Sequence, residues 1–205
     1  MCIRDRYNDL FKVNNEGHSE SVFDVQYSGA EGGGYGCLIC LEGNAAPGFQ
    51  GIRQYSGPIY GDGNSYNLPT QDLYDAFDAI DIRRDATVLD IDAFIADKPN
   101  SSNITYAIGG GGHTGFYNNK YIKRLGEIGL PDNDLTSPVN YVVIRYADVL
   151  LMAAEAHNRA STPDDSKAQN YLNQVRNRVN MSPINATGNA PVSYTHLRAH
   201  ETLLD

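Results

Sequence analysis

The stretch YVVIRYADVLLMAAEAHNRASTPDDSKAQNYLNQVRNRVN, Tyr141 to Asn180, decides the fold. Helical period, start signal and stop signal agree here and nowhere else in the chain. In the first half, Val143, Ala147, Leu150 and Ala154 form one apolar stripe, and Tyr146, Val149, Ala153 and Ala156 form its neighbour. Together they predict one wide helical face. Arg145, Asp148, Glu155 and Arg159 fall opposite, with Glu155 and Arg159 as an i,i+4 pair in the favourable order. The second half opens with Thr162 as the expected cap, Pro163 at the first helical position, and Asp164 and Asp165 at the positive end of the dipole. Ala168, Tyr171, Leu172, Val175 and Val179 then repeat at helical spacing. Arg176 and Arg178 fill the last turn, and Pro183 blocks continuation. The connection near Ser161 is so short that the helices must fold back into an antiparallel hairpin of repeat-like size. Leu150 and Leu172 are expected between them, with a polar network of Arg145, Asp148, Glu155 and Arg176 alongside.

Outward from the hairpin, the chain of 205 residues suits one domain of ordinary size. Its net charge of -9 argues against non-specific nucleic-acid binding, which needs a basic footprint. Twenty Gly, fourteen Tyr and no Trp describe a loop-rich, Tyr-decorated protein. No apolar run approaches the roughly 18 residues that a membrane span requires.

Glu20 to Ser28, ESVFDVQYS, alternates Phe23, Val25 and Tyr27 with Asp24 and Gln26, the pattern of a half-buried strand. Gly29 to Pro69 is a long Gly-rich stretch with scattered aromatics, and a loop of that length in a compact domain is commonly functional. Thr70 then caps a helix whose face is Leu73, Phe77 and Ile80. An Asp-x-Arg-Arg segment follows at Asp81, Arg83 and Arg84, before Asp85. Ala86 to Ile95, Ile104 to Ile108 and Phe116 to Leu125 read as extended pieces. Gly109 to Gly112 reads as a flexible turn and Pro131 to Asn140 as a polar loop.

Three of these segments, in this order, carry a resemblance. ESVFDVQYS, the run PTQDLYDAFDAIDIRRDATVL from Pro69 to Leu89, and RYADVLLMAAEAHN followed by LNQVRNR resemble the SusD/RagB family. The Lys120-Tyr121 pair also suits it. The resemblance covers most of Glu20 to Met181. It implies a mainly α fold with small β elements, a tetratricopeptide-like hairpin beside a loop-rich region, and only part of a domain. It also implies oligosaccharide binding at the outer-membrane surface, with the ligand passed to a SusC-like TonB-dependent transporter. The membrane link it implies is a lipid anchor in a part of the protein preceding this sequence. The alternatives are a tetratricopeptide-like scaffold that binds a protein segment, and a glycan-cleaving enzyme.

The residues themselves show little chemistry. Cys37 and Cys40 form a CxxC with no second pair and no His pair at ligand spacing, so they read as a disulfide-free or incidental pair in a loop. The glycine runs Gly32 to Gly36 and Gly109 to Gly112 lack both phosphate-cradling patterns. Asp75 and Asp78 read as the solvated side of the Leu73/Phe77 helix, and His113 and His157 stand alone. No catalytic set, metal site or cofactor site is expected.

Sugars present flat C–H faces and rings of hydroxyls, so the expected contacts are aromatic platforms with polar side chains on loops. Tyr55 and Tyr60, with Arg53 and Gln54 as hydroxyl partners, are the first choice, and Phe116 and Tyr117 the second. Tyr35, Phe49, Gln50 and Asn64 share the first loop, and Tyr66 reads as framework beside Pro69. Finally, MCIRDR at residues 1–6 and VSYTHLRAHETLLD at 192–205 resemble translated sequencing-adapter read-through. The expected natural content is residues 7–191, the C-terminal portion of a longer domain.

Overall fold

A computed structural model describes residues 4–30, 34–108, 113–127 and 134–185. Gly32, Gly33, the Gly109 to Gly112 run, residues 131–133 of the expected polar loop, Met1 to Ile3 of the head and the 192–205 tail lie outside the described residues. In chain order the elements are β1 (Ser21–Val25), α1 (Ala46–Gln50), α2 (Gln71–Asp75), α3 (Ile82–Thr87), β2 (Val88–Asp90), α4 (Ile91–Ala96), β3 (Phe116–Asn118), β4 (Tyr141–Arg145), α5 (Tyr146–Arg159) and α6 (Asp165–Arg178). The architecture is mainly helical with a few short strands, as expected. β1 pairs antiparallel with β4, and β2 antiparallel with β3.

The hairpin is α5 and α6. Its core is Ala147, Leu150, Leu151 and Ala154 against Ala168, Leu172 and Val175, all buried. Each helix contributes both alanine and larger apolar side chains to this core. The predicted stripe needs correcting in two places. Val143 is strand, because Val142-Val143-Ile144 is a β-branched run whose backbone pairs with β1. The second stripe turns outward: Tyr146, Val149 and Ala156 are exposed and Ala153 is half-buried, while Leu151, outside both predicted stripes, is fully buried.

The caps also differ. The N–H of Arg145 donates to Asp148 Oδ2 at 2.8 Å, which starts α5. Arg145 and Asp148 are therefore buried, not on a solvated face. Asp164, rather than Thr162, caps α6 by accepting from the N–H of Lys167 at 3.0 Å. Pro163 thus precedes the cap, and the helix starts two residues later than the sequence predicts. At the far end, Asn180 takes the left-handed conformation (φ 59) and the Met181 N–H returns to the Arg176 carbonyl, a stop that Asn tolerates.

The expected polar network has other members. Glu20, just before β1, pairs with Arg145 at 3.5 Å and with Arg178 in the last turn of α6. Asp148 completes the group through Arg145 at 3.4 Å. The Tyr7 and Phe11 rings lie within 6.0 Å of the Arg145 guanidinium, and Arg178 is 5.4 Å from the Tyr7 ring centroid. Glu155 pairs with Arg159 at 2.8 Å, as expected, while Arg176 Nε donates to the Ser182 carbonyl at 2.7 Å.

Between the strands of the first sheet lies the rest of the molecule. Thr70 caps α2 as predicted, accepting from the Leu73 N–H. That helix is short, however: Phe77 is buried beyond its end and Ile80 is 75% exposed. Ala86 to Ile95 is not one strand but β2 between two helical turns. Asp81 and Asp90 each accept an N–H in the next turn, from Arg83 and Ala93, and so nucleate α3 and α4. Asp81 also pairs with Arg83 Nε at 2.9 Å, and Arg83 is buried. Ile104 to Ile108 is not a ladder strand: it makes the isolated Ser56–Thr105 bridge, and the Ala107 N–H donates to the Arg53 carbonyl. β3 stops at Asn118, whose side chain accepts from the N–H groups of Lys120 and Tyr121 and turns the chain.

Candidate functional site

The segment 48–66 of the Gly29–Pro69 loop is cross-braced by hydrogen bonds. The Gly63 N–H donates to the Ile52 carbonyl, and those of Asn64, Ser65 and Tyr66 donate to the carbonyls of Gly48, Gly51 and Phe49. Ser65 Oγ accepts from the Arg53 N–H at 3.0 Å, and Asp62 Oδ1 from the Gln54 N–H at 2.6 Å. Ser56 is bonded both ways to Thr105, and the Gly61 and Leu125 N–H groups tie the loop to the 123–125 segment. The close crossing at Gly51 and Gly63 needs glycine. A Cβ on Gly63 would stand 2.4 Å from the Gly51 Cα.

The aromatics chosen from sequence lie beneath this surface. Tyr55 and Tyr60 are buried with Ile52, Ile91, Ile104 and Tyr117 in one cluster. Their rings meet edge to face at 6.0 Å, and Phe94 covers Tyr60 at 5.1 Å. The Tyr55 hydroxyl donates to the Pro58 carbonyl at 2.7 Å. Phe116 is buried on β3 with its ring stacked on Tyr74 at 4.7 Å, and the Arg84 guanidinium lies over the Tyr74 ring, also at 4.7 Å. The structure thus brings Tyr55, Tyr60 and Tyr117 together and puts Phe116 in a separate cluster with Phe77 and Val88. All four rings are packed against protein, so none presents a platform to solvent. Burial pushes the phenols of Tyr55, Tyr60 and Tyr117 above their ordinary range. Gln54 is exposed with φ 51, and Arg53 is half-buried beside it.

The exposed aromatic rings of the loop are others. Tyr35 is 60% exposed, and Tyr66 is 58% exposed with Phe49 tilted against it at 6.0 Å. Tyr66, read from sequence as framework, faces solvent because the chain has not yet turned into α2. Cys37 and Cys40 are joined in a disulfide with Cα atoms 5.4 Å apart. The pair read as incidental thus closes a turn on itself. The two-residue spacing permits that closure, and nothing in the sequence signals it. Phe23, expected to be half-buried, is 55% exposed, because irregularities in pairing on either side of it break the alternation of β1.

An open groove of about 480 Å³ lies where β1 runs into the loop, lined by Gln26, Tyr27, Ser28, Leu41 and Glu42. Among the described residues no group of three His, Cys, Asp or Glu side chains is placed to hold a metal ion. No described helix is long and apolar enough to cross a membrane.

Against known proteins, the model of the SusD family matches residues 19–199. SusD-like protein P2 of Formosa agariphila is 31% identical over 203 residues, which is 90% of this chain and 36% of the relative. Among solved structures, a laminarin binding SusD-like protein aligns with TM-score 0.80 and 29% identity over 96% of this chain and 42% of its own. Surface glycan-binding protein A from Bacteroides thetaiotaomicron aligns with TM-score 0.81 and 25% identity over 95% of this chain and 42% of its own. The chain therefore spans less than half the length of these relatives. With a family match over most of its length and one fold shared with both solved structures, the chain belongs to the SusD family.

Proposed function

We propose that this chain is the C-terminal portion of a surface protein that binds oligosaccharides without cleaving them. Its relation to a laminarin binding SusD-like protein, at 29% identity over nearly the whole chain, carries the reading. The protein is held at the outer membrane by a lipid anchor and hands its ligand to a SusC-like TonB-dependent transporter there. The exposed side chains of Tyr146, Val149 and Met152 on α5 suit packing against the rest of such a protein.

Within the loop, Arg53 and Gln54 serve as hydroxyl partners at the surface. Tyr55, Tyr60 and Tyr117 act from beneath by packing under the backbone that carries them, while Phe116 packs in a separate cluster with Phe77 and Val88. The test is affinity electrophoresis of the full-length protein through gels holding laminarin, starch, xylan or polygalacturonate. Retardation by at least one glycan, with no reducing sugar released, is the expected result. Arg53→Ala with Gln54→Ala should weaken retardation and leave Tm unchanged, whereas Tyr55→Ala should lower Tm. Peptide binding with no glycan retardation would favour a scaffold, and release of sugar would make the protein an enzyme.

A further inference from the structure

We propose that the groove at Gln26–Ser28 and Leu41–Glu42 is a subsite for an internal stretch of a neutral oligosaccharide. This rests on the glycan-binding reading above and gives it a place on the chain. The groove has two banks, one leaving β1 and one returning from the loop, and the Ser28 N–H donates to the Glu42 carbonyl between them at 2.9 Å. Both banks are fixed to the segment before β4. A Cβ on Gly29 would lie 2.9 Å from the Thr136 carbonyl oxygen, and one on Gly43 only 2.3 Å from the Thr136 Cα. Only glycine lets the backbones come so close. Asn140 Oδ1 accepts from the Tyr27 N–H at 2.9 Å, the Asn44 N–H donates to the Ser137 carbonyl at 2.7 Å, and Asn44 Nδ2 donates to the Val139 carbonyl at 2.9 Å. The groove is therefore a preformed feature and not a gap between mobile loops. Preorganised polar groups of this kind favour binding because little freedom is lost on contact.

The lining has the chemistry of a sugar contact. Gln26 supplies an amide that donates and accepts, Glu42 a carboxylate that accepts from hydroxyls, and Ser28 a hydroxyl. Tyr27 and Leu41 add half-buried apolar surface for the C–H face of a pyranose. Gln26 and Glu42 are exposed, so their polar atoms are available to a ligand. The volume of about 480 Å³ lies within the roughly 300–1,000 Å³ of small-ligand sites. The groove is open to solvent, which suits a chain lying across the surface and not a small molecule enclosed. Its lining carries one carboxylate and no cation, so a uronate would place like charges together.

The test uses the full-length protein by isothermal titration and affinity electrophoresis. Laminarin, starch and xylan are the neutral probes, and polygalacturonate is the acidic one. Gln26→Ala with Glu42→Ala should weaken binding of the retained neutral glycan by about tenfold or more, as expected for loss of hydrogen bonds that include a charged acceptor. Tm should not move, because both side chains are exposed. Tyr27→Leu, which keeps the apolar bulk, should weaken it as well. Undiminished neutral-glycan affinity in the double variant overturns the groove and leaves the family-level function standing. Preference of the wild type for polygalacturonate also overturns it. If the wild type binds no glycan at all, the functional reading fails first and the groove with it.

Discussion

The α5/α6 hairpin and the described residues of the Gly29–Pro69 loop are held together by different physics. The hairpin is built from neighbours in sequence. Its core residues recur at helical spacing, its caps are Asp148 and Asp164, and a single turn brings the two faces together. The loop has little regular structure, and it is fixed by bonds between its own two limbs and by contacts with distant parts of the chain. The Gly43 and Gly48 backbones press on Thr136 and Asp134, Ser56 pairs with Thr105, and Tyr60 packs beneath Phe94. Local pattern specifies the first region, and close backbone approach specifies the second. Substitutions that remove volume should therefore break the hairpin, and substitutions that add volume should break the loop.

The largest expected effect falls at the seam between hairpin and β1. Glu20→Ala leaves the guanidinium groups of Arg145 and Arg178 buried without their shared carboxylate. Removing one partner of a buried pair costs about 3–5 kcal/mol, and the Asp148 contact of Arg145 offsets part of this. Chemical denaturation of the full-length protein measures it, and a loss below about 1 kcal/mol would show that the cluster is solvated. Next comes Leu151→Ala in the hairpin, which removes a side chain with no exposed surface and should cost about 2–5 kcal/mol. Leu150, buried as expected, should behave alike.

In the loop, Gly48→Ala should cost about 1–3 kcal/mol by overpacking, since its Cβ would stand 2.4 Å from the Asp134 carbonyl oxygen. The contrast sharpens if Ala is placed at Gly36, where a Cβ meets nothing within 4 Å. That variant should melt with the wild type.

This contrast also explains how much could be read from the sequence. The hairpin, its buried leucines, the Thr70 cap and β1 were legible because each is a pattern within a few residues. Asp81 and Asp90 carry the same kind of signal, but the run from Ala86 to Ile95, which looked like a strand, hid the end of α3 and the start of α4. The aromatics of the loop were legible as aromatics and not as exposed or buried. Tyr60 and Phe94, or Tyr7 and Arg178, meet only after the chain has folded, and no spacing announces them. The fate of Phe23 turned on irregular pairing within a single strand, and that of the cysteines on a turn closed by a disulfide.

The smallest effect separates the two regions by pH, with opposite signs. In the hairpin, the N–H and ammonium of Lys167 hold the Asp164 carboxyl below its ordinary range. A depressed pKa means the unfolded chain binds the proton more readily. The contribution is therefore present above the ordinary value of 3.8 and fades as pH falls through the folded value. In the region against the loop, burial and then the Asp92 carboxylate push the Tyr106 phenol up from 10.0 to about 12. Tyr121 moves the same way, chiefly through burial. A raised pKa means the folded chain keeps its proton longer. Stability is therefore intact below pH 10 and falls as pH rises toward 12. Asp164→Asn should reduce the acid-side loss and leave the alkaline limb untouched. Asp92→Asn should do the reverse, bringing Tyr106 back toward 10.0 in a phenolate absorbance titration. Solvent screens both groups, so the shifts in Tm will be small and are best read as the difference between the two variants across the pH range. Parallel behaviour of the two variants at both ends would mean that the electrostatics of the regions are coupled, and the division drawn between them would not hold.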